Sequence, residues 1–239
     1  MSDIKHHLYF DLETAPSTSP LVREQLALDI KPPGSMSKPD TIRQWEIDKK
    51  PDLVEEAMKK TALDGAHGSI AVIGVAFGDD DPETFWRPGT DPAKNEASVI
   101  GAFFDRLERM VAEHYRKPPV WVGHFISGFD LRFLYQRCVV LGIKPPSYIP
   151  FNAKPWDGDL FDTMVRWAGV RDTIKMDKLA KALGLPGKQG LDGSQVAEYI
   201  AAGRIAEVAD YCANVDVRQV REIHRKMCFI DRDRPIPEF

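Results

Sequence analysis

The sequence predicts an α/β fold, one domain over residues 1–239 in which a mixed β-sheet is flanked by α-helices. Three observations lead there. Short β-prone segments cluster in the first half, helical spacing dominates the second, and a strand–helix–strand crossover joins them. The length, with 43% hydrophobic and 28% charged residues, suits a single domain with a sizeable core.

Residues 7–12 (HLYFDL) are β-prone and run into acids, so they read as the first strand. Residues 15–66 are rich in proline and charge and read as an insertion. Two short helices are expected in it, near 21–28 and 51–61. It is too long for a plain loop, so it is expected to cover something, the substrate cleft being the natural candidate. The nearly continuous apolar run 69–78 (SIAVIGVAFG) reads as a buried strand, with 83–87 as its hairpin partner. Residues 95–114 place apolar side chains at helical spacing. A strand follows at 120–123, then a helix over 128–141 expected to bury Leu131, Phe133, Leu134 and Val139. Four further helices are expected at 161–168, 176–183, 194–202 and 205–228, the middle pair broken by Gly184, Pro186 and Gly190.

No apolar run approaches the roughly 20 residues that span a bilayer, and residues 1–7 lack the apolar core of a signal peptide. The three cysteines, Cys138, Cys212 and Cys228, are scattered without metal-binding spacing and suggest reduced thiols, hence a cytoplasmic protein. A net charge of −4 argues against gripping long duplex through phosphates. It leaves room for an enzyme that holds a strand end at a metal site, where bound cations supply positive charge.

Asp11 and Glu13 lie two apart at a strand end, so their side chains aim to one face. Two neighbouring anions repel unless a cation sits between them, and oxygen ligands suit Mg²⁺ or Mn²⁺. Acids are also common at solvated strand ends. In the segment 123–134 a strand exits into a turn and Asp130 opens a helix, where an acid also suits the helix dipole. Tyr211 and Asp216 lie in the last long helix, whose buried side is expected to carry Val208, Cys212, Val215 and Ile223.

These three segments, in this order, resemble the motifs of the four-carboxylate (DEDD) exonuclease superfamily with its ribonuclease H-like fold. They are most similar to stand-alone exonucleases related to the proofreading domain of family B DNA polymerases. Asp162-Thr163-Met164, the 179–194 segment and Asp210-Tyr211-Cys212 leading to Asp216 extend the resemblance. Two positions depart from it. The family commonly carries Asn where this chain has Phe125. Its tyrosine subclass places Tyr four residues before the last Asp, whereas Tyr211 is five before Asp216 and Val215 holds the expected acidic place. On an ideal helix one residue rotates Tyr211 by roughly 100°; a local bulge could absorb it.

The resemblance implies a metal-dependent 3′→5′ exonuclease releasing nucleoside monophosphates from single-stranded DNA 3′ ends. Asp11, Glu13, Asp130 and Asp216 would hold two divalent ions, Mg²⁺ or Mn²⁺, and Tyr211 would orient the attacking water. Leu12 and Thr14 would offer a backbone group and a hydroxyl to the terminal nucleotide. Phe129 and Phe133 would stack on bases, core packing being their competing role, and Lys188 would reach a phosphate. His124 is either a weak site candidate or a satisfied structural histidine. An exoribonuclease of the same fold and a non-catalytic nucleic-acid-binding module are the alternatives. No polymerase segment is present in these residues, so proofreading would require a protein partner.

Overall fold

The computed structural model describes residues 6–115, 117–187, 191 and 193–230. Lys188 lies outside the described residues. Strand β1 (His7–Ala15) leads into the insertion, which forms α1 (Pro20–Asp29), α2 (Pro39–Asp48) and α3 (Lys50–Lys60). Then come β2 (Ser69–Phe77), β3 (Glu83–Phe85), α4 (Glu96–Met110), β4 (Val120–Gly123), α5 (Asp130–Leu141), β5 (Leu160–Asp162) and α6 (Thr163–Ala168). The chain continues with α7 (Met176–Ala182), α8 (Val196–Ala201), α9 (Ile205–Tyr211) and α10 (Arg218–Met227).

The five strands form one mixed sheet in the order β3-β2-β1-β4-β5. β2 runs antiparallel to β1 and β3, while β4 and β5 run parallel to β1. The carboxyl ends of β1, β4 and β5 therefore point the same way, and that shared end carries the acids. On one face Leu8, Phe10 and Leu12 pack with Phe103 and Leu107 of α4 and with Leu131 and Leu134 of α5. Burying each such side chain contributes about 1.5–3 kcal/mol. On the other face Tyr9 packs with Leu179, Val220 and Ile223 of α7 and α10, and Ala15 with Ile200, Val208 and Cys212. Among the described residues no helix is long and apolar enough to cross a membrane.

The insertion holds three helices rather than the expected two. Prolines that read as loop signals, Pro20, Pro39 and Pro51, occupy the first or second helical position, where a missing N–H costs nothing. None of the residues lining the main cleft comes from it; it buttresses the end of β1 instead. Thr14 Oγ1 donates to Ala62 O at 2.7 Å and Ser17 N–H donates to Thr61 Oγ1 at 2.8 Å. Where the insertion ends, buried Arg137 donates to both Glu96 oxygens (2.8 and 2.7 Å) and to Gly65 O (3.0 Å).

Three other expectations change. Val139 is exposed, because α5 buries the stripe Leu131, Leu134 and Cys138, and the next residue is rotated away. Residues 160–162 form a strand before the helix, which starts only at Thr163 because Asp162 caps it. The last helix is continuous in path but not in type: between α9 and α10, Cys212–Val217 forms a π-helical turn.

Candidate active site

Along β1 the alternation puts Asp11 and Glu13 on the face that meets α9 and α10, between the two apolar clusters. Their carboxylate oxygens and the Cys212 sulfur all lie within 4.8 Å of one another. Cys212 Sγ is 3.6 Å from Asp11 Oδ2. The helix comes this close because Gly74 of β2 lies opposite Asp11 in register and has no side chain. A Cβ at Gly74 would stand 2.5 Å from Cys212 Sγ and 3.0 Å from Val217 Cγ2. Beside it the β1–β2 pairing carries a bulge: Glu13 pairs Val72 and Thr14 pairs Ile70, leaving Ala71 as the extra residue.

Asp216 sits in the π-helical turn, buried. A π turn closes i→i+5 rather than i→i+4, so residues five apart, such as Tyr211 and Asp216, come onto one side. That absorbs the extra residue read in the sequence. Val215 is half-buried and lines two neighbouring grooves, not the cleft beside Asp11. The Asp216 charge acts on the Cys212 thiol together with Asp11 and Glu13. Burial first, then these three carboxylates, hold that thiol well above its usual range. A neutral thiol leaves hard carboxylate oxygens as the donor set, which fits Mg²⁺ or Mn²⁺.

Asp130 opens α5 and reaches the same place from the β4 side. Beyond the β1–β4 pairs, which end at Tyr9 and Val122, Leu12 N–H donates to Asp130 Oδ1 at 3.1 Å. Burial, with the Asp162 and Asp216 carboxylates adding to it, pushes Asp130 up to about 7 despite its backbone hydrogen bonds. The turn before Asp130 is held by Asp162. Its oxygens accept from Phe125 N–H (3.0 Å), Ser127 N–H (3.1 Å) and Ser127 Oγ (2.6 Å), and from the α6 backbone at Met164 and Val165.

A cleft of about 800 Å³ opens onto Asp11 and Tyr211, with Phe125, Ile174, Lys175 and Lys181 also in its lining. Asp11 and Glu13 thus adjoin Cys212 at the end of β1, Asp130 holds the Leu12 backbone between them, and the Asp216 charge acts on both Cys212 and Asp130. The expected nucleotide contacts fare differently. Leu12 N–H is committed to Asp130, and the Thr14 hydroxyl to the insertion. Phe133, at 2% exposure, packs in the core with half-buried Phe129 against it, so Phe133 offers no face to a base. His124 lines the cleft with both ring nitrogens engaged: Nδ1 meets Thr163 Oγ1 at 2.9 Å and Nε2 meets Ile174 O at 2.8 Å. Gly74 and the capping role of Asp162 leave no signal in local spacing, whereas Phe125 stands out in the sequence as a departure from a motif.

A mixed five-stranded sheet flanked by helices, with Asp11 and Glu13 at the shared strand end, defines the α/β class. The structure of the family B DNA polymerase from the hyperthermophilic archaeon Pyrobaculum calidifontis has this fold, at a TM-score of 0.54 and 17% identity over 93% of this chain. The chain spans 24% of that polymerase's length. No curated protein matches the sequence. The chain belongs to the family described as predicted 3′-5′ exonucleases related to the exonuclease domain of PolB, which matches residues 66–229. That stretch contains Asp130, Tyr211 and Asp216. Asp11 and Glu13 precede it and join the site through the pairing of β1 with β2 and β4.

Proposed function

We propose that this chain is a metal-dependent 3′→5′ exonuclease that trims single-stranded DNA ends and releases nucleoside monophosphates. The observation that supports this reading is the pairing of Asp11 and Glu13 at the end of β1, with Asp130 bonded to the Leu12 backbone between them and Asp216 acting on the adjoining Cys212. Asp11, Glu13, Asp130 and Asp216 would hold two divalent ions, Mg²⁺ or Mn²⁺. Bound there, such ions would offset the phosphodiester charge and ease ionisation of water near neutral pH.

The chain's own residues do the rest. Tyr211, in the cleft beside Asp11, orients the attacking water through its hydroxyl. The water oxygen bonds to the terminal phosphorus and the bond to the preceding 3′ oxygen breaks. The products are a nucleoside 5′-monophosphate and a strand ending in a 3′-hydroxyl. Asp130 ties the backbone of Leu12 to the start of α5, so the acids of β1 keep their place relative to it.

The test is digestion of a 3′-labelled single strand with Mg²⁺ or Mn²⁺, against the same reaction in chelator. Mononucleotides should appear only with metal. Asp11→Asn should lower turnover by about a thousandfold with an unchanged circular-dichroism spectrum. Metal-independent release, or normal turnover by that variant, would refute the assignment.

A further inference from the structure

Phe125 is the one cleft residue whose conformation has no use in the reading above. It is 42% exposed in the cleft that holds Asp11 and Tyr211. Its backbone has φ 63°, a region that bulky L residues avoid. The chain holds it there by a specific arrangement. Asp162 Oδ1 accepts the Phe125 N–H, and Gly128 makes space for the ring, since a Cβ there would lie 2.1 Å from Phe125 Cε2. A backbone held in such a conformation is costly and persists where the surroundings impose it, as at ligand clamps. The same cleft offers Met164, Ile174 and Met176 as apolar neighbours, and Lys175 and Lys181 as cations, the latter ion-paired with Asp177 of the same lining at 2.7 Å.

Apolar faces and cations beside an acidic site match a nucleotide, whose base is flat and apolar on its faces and whose phosphate is anionic. A cleft of about 800 Å³ is of small-ligand size, so it suits one or two unpaired nucleotides rather than a duplex. Every base has a π-face, so stacking tolerates any base identity.

We propose that Phe125 is the platform on which the 3′-terminal base stacks, so that the cleft selects an unpaired end regardless of sequence. This rests on the exonuclease reading and adds the specificity-determining contact to it. A hydrogen-bonding side chain at this position would read polar edges; a ring reads only flatness.

The experiment is a binding cycle with the full chain in Ca²⁺, followed by anisotropy of a 5′-labelled single strand. Two strands are used, one ending in a normal nucleotide and one ending in an abasic residue. Phe125→Ala should weaken the normal strand by about tenfold and the abasic strand hardly at all. Phe125→Tyr, which keeps the ring, should bind the normal strand like the wild type. A 2-aminopurine at the 3′ end should be quenched by the wild type and not by Phe125→Ala. Equal losses on both strands, no loss on either, or no binding by the wild type would overturn the platform. Turnover of the wild type in Mg²⁺ is measured separately. Its absence would sink the exonuclease reading, while the binding cycle still decides the role of Phe125.

Discussion

Asp11 and Glu13 sit two apart on β1, whereas Tyr211 and Asp216 sit five apart on the last helix. Only the first pair occupies positions that regular geometry brings to one side. A strand alternates with period two whatever packs on it, so two acids at i and i+2 share a face by construction. A helix of α type would turn Asp216 away from Tyr211, and the chain restores the alignment with one π-helical turn. That turn rests against Gly74, the residue opposite Asp11. The comparison teaches that the strand half of the site is built in locally, while the helix half depends on what the helix packs against.

The sharpest way to break this comparison is to move the last acid to the place that regular spacing favours. The double substitution Val215→Asp with Asp216→Val restores a four-residue spacing to Tyr211 but aims the carboxylate at grooves away from Asp11. Turnover should fall by about a thousandfold, as for loss of an acid. Activity near the wild-type level would mean that the π turn is not what places the acid.

Next in size is Tyr211→Phe. Losing the phenol while the four acids remain should cost about a hundredfold in kcat, with KM little changed. A loss equal to that of an acid would make the phenol an obligatory proton carrier.

Smaller again is Gly74→Ala. The added methyl meets Cys212 Sγ at 2.5 Å, and overpacking of this kind costs about 1–3 kcal/mol. The urea midpoint should drop and turnover should fall about tenfold as the π turn is pushed off β1. Adding Cys212→Ala should recover both, and failure of that rescue would separate the turn from the Gly74 contact.

The last prediction concerns the other end of β1, where Tyr9 Oη and His224 Nδ1 share a hydrogen bond of 3.0 Å. Burial first, then the neighbouring His7 and Arg225, lower the His224 pKa to about 3. The unfolded chain takes up this proton near pH 6.5 and the folded chain does not. The associated stability is therefore complete above about pH 6.5 and is lost as pH falls toward 3. Between pH 7 and 5 unfolding should become easier by about 2 kcal/mol in urea titrations. His224→Gln should lack that slope; an unchanged slope would assign it to other groups.

The outline of the fold was legible from local pattern. β2 is buried throughout, which its nearly continuous apolar run predicts, and β4 falls where its short run predicted. The insertion was harder, because prolines that open helices look like prolines that break them. At the candidate site, the four acids are proposed from the likeness of their segments to family motifs, and the partners of their neighbours are not legible there. Leu12 and Thr14 turn their polar groups inward to Asp130 and Ala62, partners 118 and 48 residues away. Hydrogen bonds across such separations leave no trace in local spacing.

By itself the sequence determined the strand face shared by Asp11 and Glu13, the helix start at Asp130 and the apolar stripes that close the sheet. These follow from backbone periods that hold in any surroundings. Only the tertiary structure decided that Asp216 rather than Val215 turns toward β1, and that Phe125 rather than Phe133 stays open to the cleft. An extra residue in a helix can be absorbed at many points, and the point chosen is the one where packing against Gly74 stabilises it. A ring is buried or exposed according to what surrounds it, and those surroundings are assembled from distant parts of the chain.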